Sequence, residues 1–273
     1  MQKLKELENI MIDIASLNDE RGIEIQQVGV TGVNLPILIL RKSGGYDNVT
    51  ATLSLAVDLK HDVRGTHMSR FLEILEDWRQ KPLSYHEIGT ILADVIQKLN
   101  AQKSTMTVSF KYFLERTAPV SKSVSLMDYD IIFSGNKDIN DEYEFTLNAK
   151  IPVTALCPCS KEISKYGAHN QRAIISAMVK SHTGGKDMLW IEDLIDIVEA
   201  QGSSQLYPLL KREDEKYVTE HAYENAKFVE DILRDTAIAL KNDERITDFK
   251  VRVDSIESIH NHNVYAELSH KNI

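Results

Sequence analysis

The 273-residue sequence predicts an α+β fold made of two successive β-β-α-α-β-β units, each an antiparallel sheet with its helices on one face. Three observations point there. Apolar and polar residues alternate in several separate stretches, the two-residue period of a half-buried strand. Between these stretches lie pairs of segments whose apolar residues recur every three to four positions, the period of an amphipathic helix. The order of two strands, two helices and two strands then occurs a second time, a topological repeat without residue identity.

The first unit, residues 1–135, opens with a short apolar strand at Pro36–Leu40 and a turn at 43–48. In Thr52–Leu59, Leu53, Leu55, Val57 and Leu59 point one way while Thr52, Ser54 and Asp58 point the other. Two helices are expected next, at Thr66–Trp78 and Ser84–Asn100. Ser84, with Glu87 three residues on, forms a capping box for the second. Met106, Val108, Phe110 and Tyr112 restore the alternation, and Val124–Phe133 supplies a fourth strand. Ser134–Asp141, rich in Gly, Asn and Asp, is the expected junction between units.

The second unit, residues 136–273, repeats the order with strands at Tyr143–Val153 and Ala173–Val179. Ile191, Leu194, Ile195 and Val198 have helical spacing, and Gly202 stands where that helix should stop. One longer helix is expected over Glu220–Leu240, with Ala222, Ala226, Val229, Leu233 and Leu240 on its apolar stripe. Phe249, Val251 and Val253, then Val264, Ala266 and Leu268, complete the second sheet.

Composition narrows the function classes. Hydrophobic residues at 42% and charged residues at 27% are ordinary for a soluble globular protein. No apolar run is long enough to span a bilayer, and the amino terminus mixes both charge signs, unlike a signal peptide. A cytoplasmic location with no membrane partner is therefore expected. The net charge of −9 comes with no basic block, which argues against nucleic acid while leaving room for a locally basic pocket. The two cysteines stand two positions apart, too close for an unstrained disulfide. They are working or buried thiols.

Those thiols, in Cys157-Pro158-Cys159, follow directly on a strand. In an extended run both sulfurs lean to the same side, roughly 6–7 Å apart. One can then ligate a metal while the other takes part in chemistry. His169 sits in a glycine-containing loop that returns to this segment if the flanking strands pair, and can act as ligand or general acid. Glu257 shares a face with Phe249, Val251 and Val253. His260 and His262 share a face with Val264 and Ala266 if that strand extends back to them. Thiol, imidazole and carboxylate suit a divalent cation, the carboxylate favouring Mn²⁺ or Fe²⁺ and Zn²⁺ remaining compatible. Taken singly, each has a structural explanation, such as buried cysteines or a polar hairpin turn. The combination argues for a site. Glu230, at the margin of the long helix's stripe, can accept two N–H bonds from a guanine-like edge. His67, Ser69 and Arg70, opening the first helix, suit phosphate binding, and Lys211 offers a further cation.

The strings GTHMSRF (65–71), LCPCSKEIS (156–164), YGAHNQR (166–172), LLKREDEKYVTE (209–220), FVEDILR (228–234) and ESIHNHNVYA (257–266) resemble the GTP cyclohydrolase type IB family. They run in family order across nearly the whole chain. The resemblance implies a tunnelling fold assembled as a homotetramer, with active sites between subunits. It also implies hydrolysis of GTP to 7,8-dihydroneopterin triphosphate and formate, the first step towards folate. It places a metal on Cys157 or Cys159 together with His169, Glu257, His260 and His262, and matches Glu230 to the purine-anchoring position. On this reading water attacks C8 of the guanine, and His169 or a neighbouring imidazole protonates N7. Arg70, Arg172 or Lys211 offsets the triphosphate charge, and the GTHMSR segment can serve a neighbour's pocket. Of the two thiols, Cys157 is preferred as the essential one, with Cys159 as its partner in chemistry. Two other readings differ testably. A nitrile reductase of the same superfamily needs a nucleophilic thiol but not the late histidines, and a non-catalytic pterin- or metal-binding scaffold has no need of the full set.

Overall fold

Every alternating stretch forms a strand, and most strands outrun the apolar residues that announce them. In the computed structural model, which describes residues 13–181 and 188–271, β1 spans Ile25–Leu40 and β2 Tyr46–Leu59. Residues 1–12, on which the reading of the amino terminus partly rests, lie outside that description. The predicted Pro36–Leu40 is only the end of β1. Its earlier part shifts register twice against β2, between Ile25 and Val28 and between Val30 and Val33. Gly32, at a φ of 70°, sits within the second shift, and such irregularities blur the two-residue period.

Next come α1 (Met68–Trp78), β3 (Pro82–Leu83), α2 (Tyr85–Leu99), β4 (Lys103–Thr117) and β5 (Val124–Asp138). The capping box of α2 is present: the Ser84 N–H donates to the Glu87 carboxylate at 2.9 Å, and the Ser84 hydroxyl accepts from the His86 N–H at 3.2 Å. The chain continues through β6 (Tyr143–Leu156), α3 (Pro158–Ile163), β7 (Asn170–Ser181), α4 (Ile191–Glu199) and β8 (Ser204–Gln205). It ends with α5 (Arg212–Glu224), α6 (Val229–Lys241), β9 (Ile246–Ser255) and β10 (Val264–Lys271).

The strands join in one sheet of order β10-β9-β7-β6-β5-β4-β2-β1-β3, with β8 added beside β6. Pairing is antiparallel throughout except between β1 and β3. A single register row shows how the core forms: Leu53, Val108, Phe133, Leu147, Val179 and Phe249 stand side by side across six strands, all buried. One residue along, Ser54, Thr107, Ser134, Thr146 and Lys180 form a polar row on the opposite face. The apolar face carries the helices: α1 and α2 pack over the β1–β5 side, and α4 and α6 over β6, β9 and β10. The α+β class and the antiparallel pairing are thus as expected, whereas the two sheets expected are one, joined by the pairing of β5 with β6. Among the described residues no helix is long and apolar enough to cross a membrane.

Four local expectations are corrected. The helix expected over Glu220–Leu240 is two helices, because residues 225–228 leave the helical path to make tertiary hydrogen bonds. Asn225 donates to the carbonyls of Gly202 and Ser203, and the Lys227 N–H donates to Leu156. Gly202 does not end α4, which is already closed at Ala200. A Cβ there would lie 2.5 Å from the Cβ of Val153, so glycine lets this segment lie against β6. The Cys-Pro-Cys segment is not extended: Cys157 caps α3, and Pro158, whose fixed φ suits a first helical position, starts it. Finally, β10 begins at Val264, so His260 and His262 belong to the β9–β10 loop rather than to a strand.

Candidate active site

The site lies where the apolar face of the sheet runs out at one end of β6, β7 and β9. Ile151, Ile175 and Val253 form one buried row across these strands. The next is Val153, Ala173 and Ser255, and the one after it pairs Ala155 with Gln171. Two-residue alternation then carries the same face on to Cys157, His169 and Glu257. Beyond the reach of the helix layer the face becomes polar, and this is the part that chemistry can use. The β6–β7 pairing closes the loop between its thiol and imidazole, since the Cys157 N–H donates to the carbonyl of His169 at 3.1 Å.

These residues line a cleft of about 440 Å³ together with His260, His262 and the first turn of α6. The rings of His260 and His262 stack with centroids 5.3 Å apart. The Cys157 sulfur accepts the Ser160 N–H at 3.4 Å. His169 Nδ1 pairs with the side-chain oxygen of Gln171 at 2.8 Å. The Gln171 amide nitrogen donates to Glu257 at 3.0 Å and to the Ser255 hydroxyl at 3.3 Å, and that hydroxyl donates to Glu257 at 3.1 Å. Phe228, Lys227 and Tyr265 complete the wall. The Tyr265 ring is backed by the Arg252 guanidinium, 3.9 Å from its centroid.

Of the residues singled out from sequence, the structure brings Cys157, His169, Glu230, Glu257, His260 and His262 to this one cleft. Glu230 arrives by a different route than expected, exposed in the first turn of α6 rather than half-buried within a long helix. Among the described residues, no three His, Cys, Asp or Glu side chains converge closely enough to hold a metal ion. Cys159 is exposed on α3. The five phosphate-binding candidates lie elsewhere on this chain. His67 Nε2 pairs with Asp13 at 3.1 Å, Arg70 donates to the Lys98 carbonyl at 3.2 Å, and Ser69 is exposed on α1. Arg172 alternates with Gln171 on β7, which turns it to the other face of the sheet beside Lys150 and Tyr207. Lys211 is exposed at the start of α5, its N–H donating to Asp214. Sequence reasoning gave no role to Gln171, Lys227, Phe228 or Tyr265. Gln171 was findable, since it stands two residues from His169 on a strand whose period is two.

Comparison with known proteins adds an independent line. Residues 11–266 match the family model described as type I GTP cyclohydrolase folE2. Relatives named GTP cyclohydrolase FolE2 include one from Geobacter sp. (strain M21), 46% identical over 94% of this chain and 93% of its own. Another, from Syntrophus aciditrophicus (strain SB), is 47% identical over 94% of this chain and 98% of its own. Among solved structures the chain is similar to a uricase from Bacillus fastidious, with a TM-score of 0.52 and 8% identity, covering 93% of this chain and 94% of the other. The urate oxidase of Bacillus sp. TB-90 (R298C mutant) gives a TM-score of 0.51 at 8% identity, covering 90% and 98%. At such low identity these two speak to the fold alone.

Proposed function

Because the chain belongs to the type I GTP cyclohydrolase folE2 family, we propose that it hydrolyses GTP to 7,8-dihydroneopterin triphosphate and formate, the first step towards folate. The observation that carries this reading is convergence. Cys157, His169, Glu230, Glu257, His260 and His262 come from three separated stretches of sequence and line one cleft.

A thiol, three imidazoles and a carboxylate are the donor set that a borderline divalent cation takes, so the residues fit such an ion in kind. Cys157, His169, Glu257, His260 and His262 would hold it, with Mn²⁺ or Fe²⁺ favoured and Zn²⁺ compatible. When bound, the cation supplies Lewis acidity that makes water nucleophilic at neutral pH. The rest is done by the chain. Glu230 accepts the N–H groups of the guanine edge, which puts the imidazole ring of the purine at the end of the base away from α6. His169, its Nδ1 engaged by Gln171, keeps Nε2 for the cation, so the proton that N7 takes as that ring opens comes from whichever of His260 and His262 leaves the cation to the other. Cys157 is the essential thiol, held by the Ser160 N–H.

The triphosphate needs more cations than Lys227, which among the described residues is the cation lining the cleft and is already paired with Asp235 at 2.8 Å. His67, Ser69 and Arg70 therefore serve a neighbour's site in a homotetramer, with Arg172 and Lys211 as further candidates. Within each chain we assign two tandem β-β-α-α-β-β units, residues 1–135 and 136–273, carrying most of the cation ligands in the second.

The test is anaerobic incubation of chelator-treated protein with GTP, adding back Mn²⁺, Fe²⁺ or Zn²⁺ singly. Formate release and a fluorescent pterin after oxidation are expected with at least one of them, and neither without added cation. No turnover with any cation, with reduction of a pyrrolopyrimidine nitrile by NADPH instead, would replace this reading with the nitrile reductase.

A further inference from the structure

We propose that Gln171 is a positioning residue that sets the tautomer of His169 and the orientation of Glu257 together. Its consequence for turnover rests on the function proposed above; the tautomer itself does not.

The inference follows from what each group can donate or accept. Glu257 is an acceptor when ionised, and its Oε1 lies 3.0 Å from the Gln171 amide nitrogen. That carboxylate, with the Ser255 hydroxyl at 3.3 Å on the same nitrogen, requires the NH₂ end of the amide on its side. The carbonyl end must then face His169, whose Nδ1 it meets at 2.8 Å. A carbonyl can only accept, so Nδ1 carries the proton and Nε2 of the neutral ring is left as a lone pair. The Ser258 hydroxyl, 3.5 Å from the same carbonyl oxygen, can donate to it and reinforces the assignment. Ser255, buried at 2% exposure, anchors the far side by donating to Glu257.

Glutamine is the side chain that does this at this reach. Glutamate would present a second acceptor to Glu257, and a lysine would have no acceptor for Nδ1–H. The amide therefore passes the polarity of Glu257 on to the imidazole, so that the lone pair belongs to the nitrogen not engaged by the protein. Such outer partners of ligating histidines usually change cation affinity by about 10–100-fold when removed.

The experiment is magic-angle-spinning NMR of full-length protein labelled with ¹⁵N-histidine, chelator-treated and held above the titration range of histidine. His169 is assigned by the signals lost in His169→Asn. Wild type is expected to show His169 as the Nδ1–H tautomer; an Nε2–H ring would overturn the proposal. Gln171→Leu is expected to lose that single tautomer and to bind Zn²⁺ about 10–100-fold more weakly in competition with a chromophoric chelator. Its kcat should fall while KM for GTP stays within about twofold. Gln171→Glu, which restores the acceptor without the donor, is expected to recover the Nδ1–H tautomer. An unchanged tautomer in Gln171→Leu, or its loss in Gln171→Glu, would overturn the proposal, and the wild-type and Gln171→Glu spectra decide if the leucine variant does not fold. Wild-type protein that shows the expected tautomer but does not turn over GTP would count against the proposed function and leave the tautomer assignment standing.

Discussion

Glu230→Ala is expected to weaken GTP binding about 100-fold while leaving cation affinity within about twofold of wild type. Glu230 lines the cleft from the first turn of α6 and is exposed there, with no hydrogen-bond partner in the chain among the described residues. Its carboxylate is thus free to accept from a ligand, and its loss leaves no protein donor stranded. A hydrogen bond to a charged group contributes about 1.5–3 kcal/mol. Two such bonds to one purine edge are not additive, and about 3 kcal/mol for the pair corresponds to the 100-fold loss. Alanine is a strong helix former, so unfolding stability should change by about 0.5 kcal/mol or less. Calorimetric titration with GTP, paired with a cation competition assay, separates the two affinities. Unchanged GTP affinity would remove Glu230 from base recognition. Lost cation affinity would instead make it part of the metal site.

Cys157→Ala is expected to lower turnover by about 1,000-fold or more and to weaken cation binding with it, because a direct ligand should matter more than the about 10–100-fold of an outer partner. The substitution spares the scaffold. What ties this residue to β7 is its backbone N–H on the His169 carbonyl, which alanine keeps. Among the described residues the thiol itself accepts only the Ser160 N–H, and that group stays near the surface of a short helix. Cys157→Ser should recover little, since an alcohol does not ionise near neutrality and a thiol does so readily. Initial rates of formate release at saturating GTP, measured across added cation, check both variants. Substantial turnover in Cys157→Ala would move the essential role to Cys159, which lies exposed one residue beyond Pro158.

The strand faces were legible in the sequence because a two-residue period survives any packing. Phe249, Val251, Val253, Ser255 and Glu257 could be put on one side before the sheet was known; the pairing of β7 with β9 keeps the first four there, and Gln171 and Ser255 hold Glu257 just past the strand. The helix break was not legible. Ala222, Ala226, Val229 and Leu233 continue an apolar stripe through it, and the hydrogen bonds that end α5 go to Gly202, Ser203 and Leu156, which are distant in sequence. Cys157-Pro158-Cys159 misled for a local reason: proline suits both an extended run and a first helical turn, and the Cys157 cap selects the second. The spacing of two in the late histidines fits an extension of the last strand and a hairpin turn equally, and stacked rings in a loop satisfy it too. Gln171 shows the opposite case. Its face was readable, but its role depends on Glu257 arriving from β9, a contact separated by 86 residues.

The most direct measurement follows carbon rather than activity. GTP labelled with ¹³C at C8 alone, incubated with cation-loaded protein and watched by ¹³C NMR, should pass its label into formate, with an unlabelled pterin accumulating in equal amount. Label that stays in the ring while inorganic phosphate is released would mean that the chain hydrolyses phosphate bonds. That would contradict the assignment of Cys157, His169 and Glu230 to opening the purine.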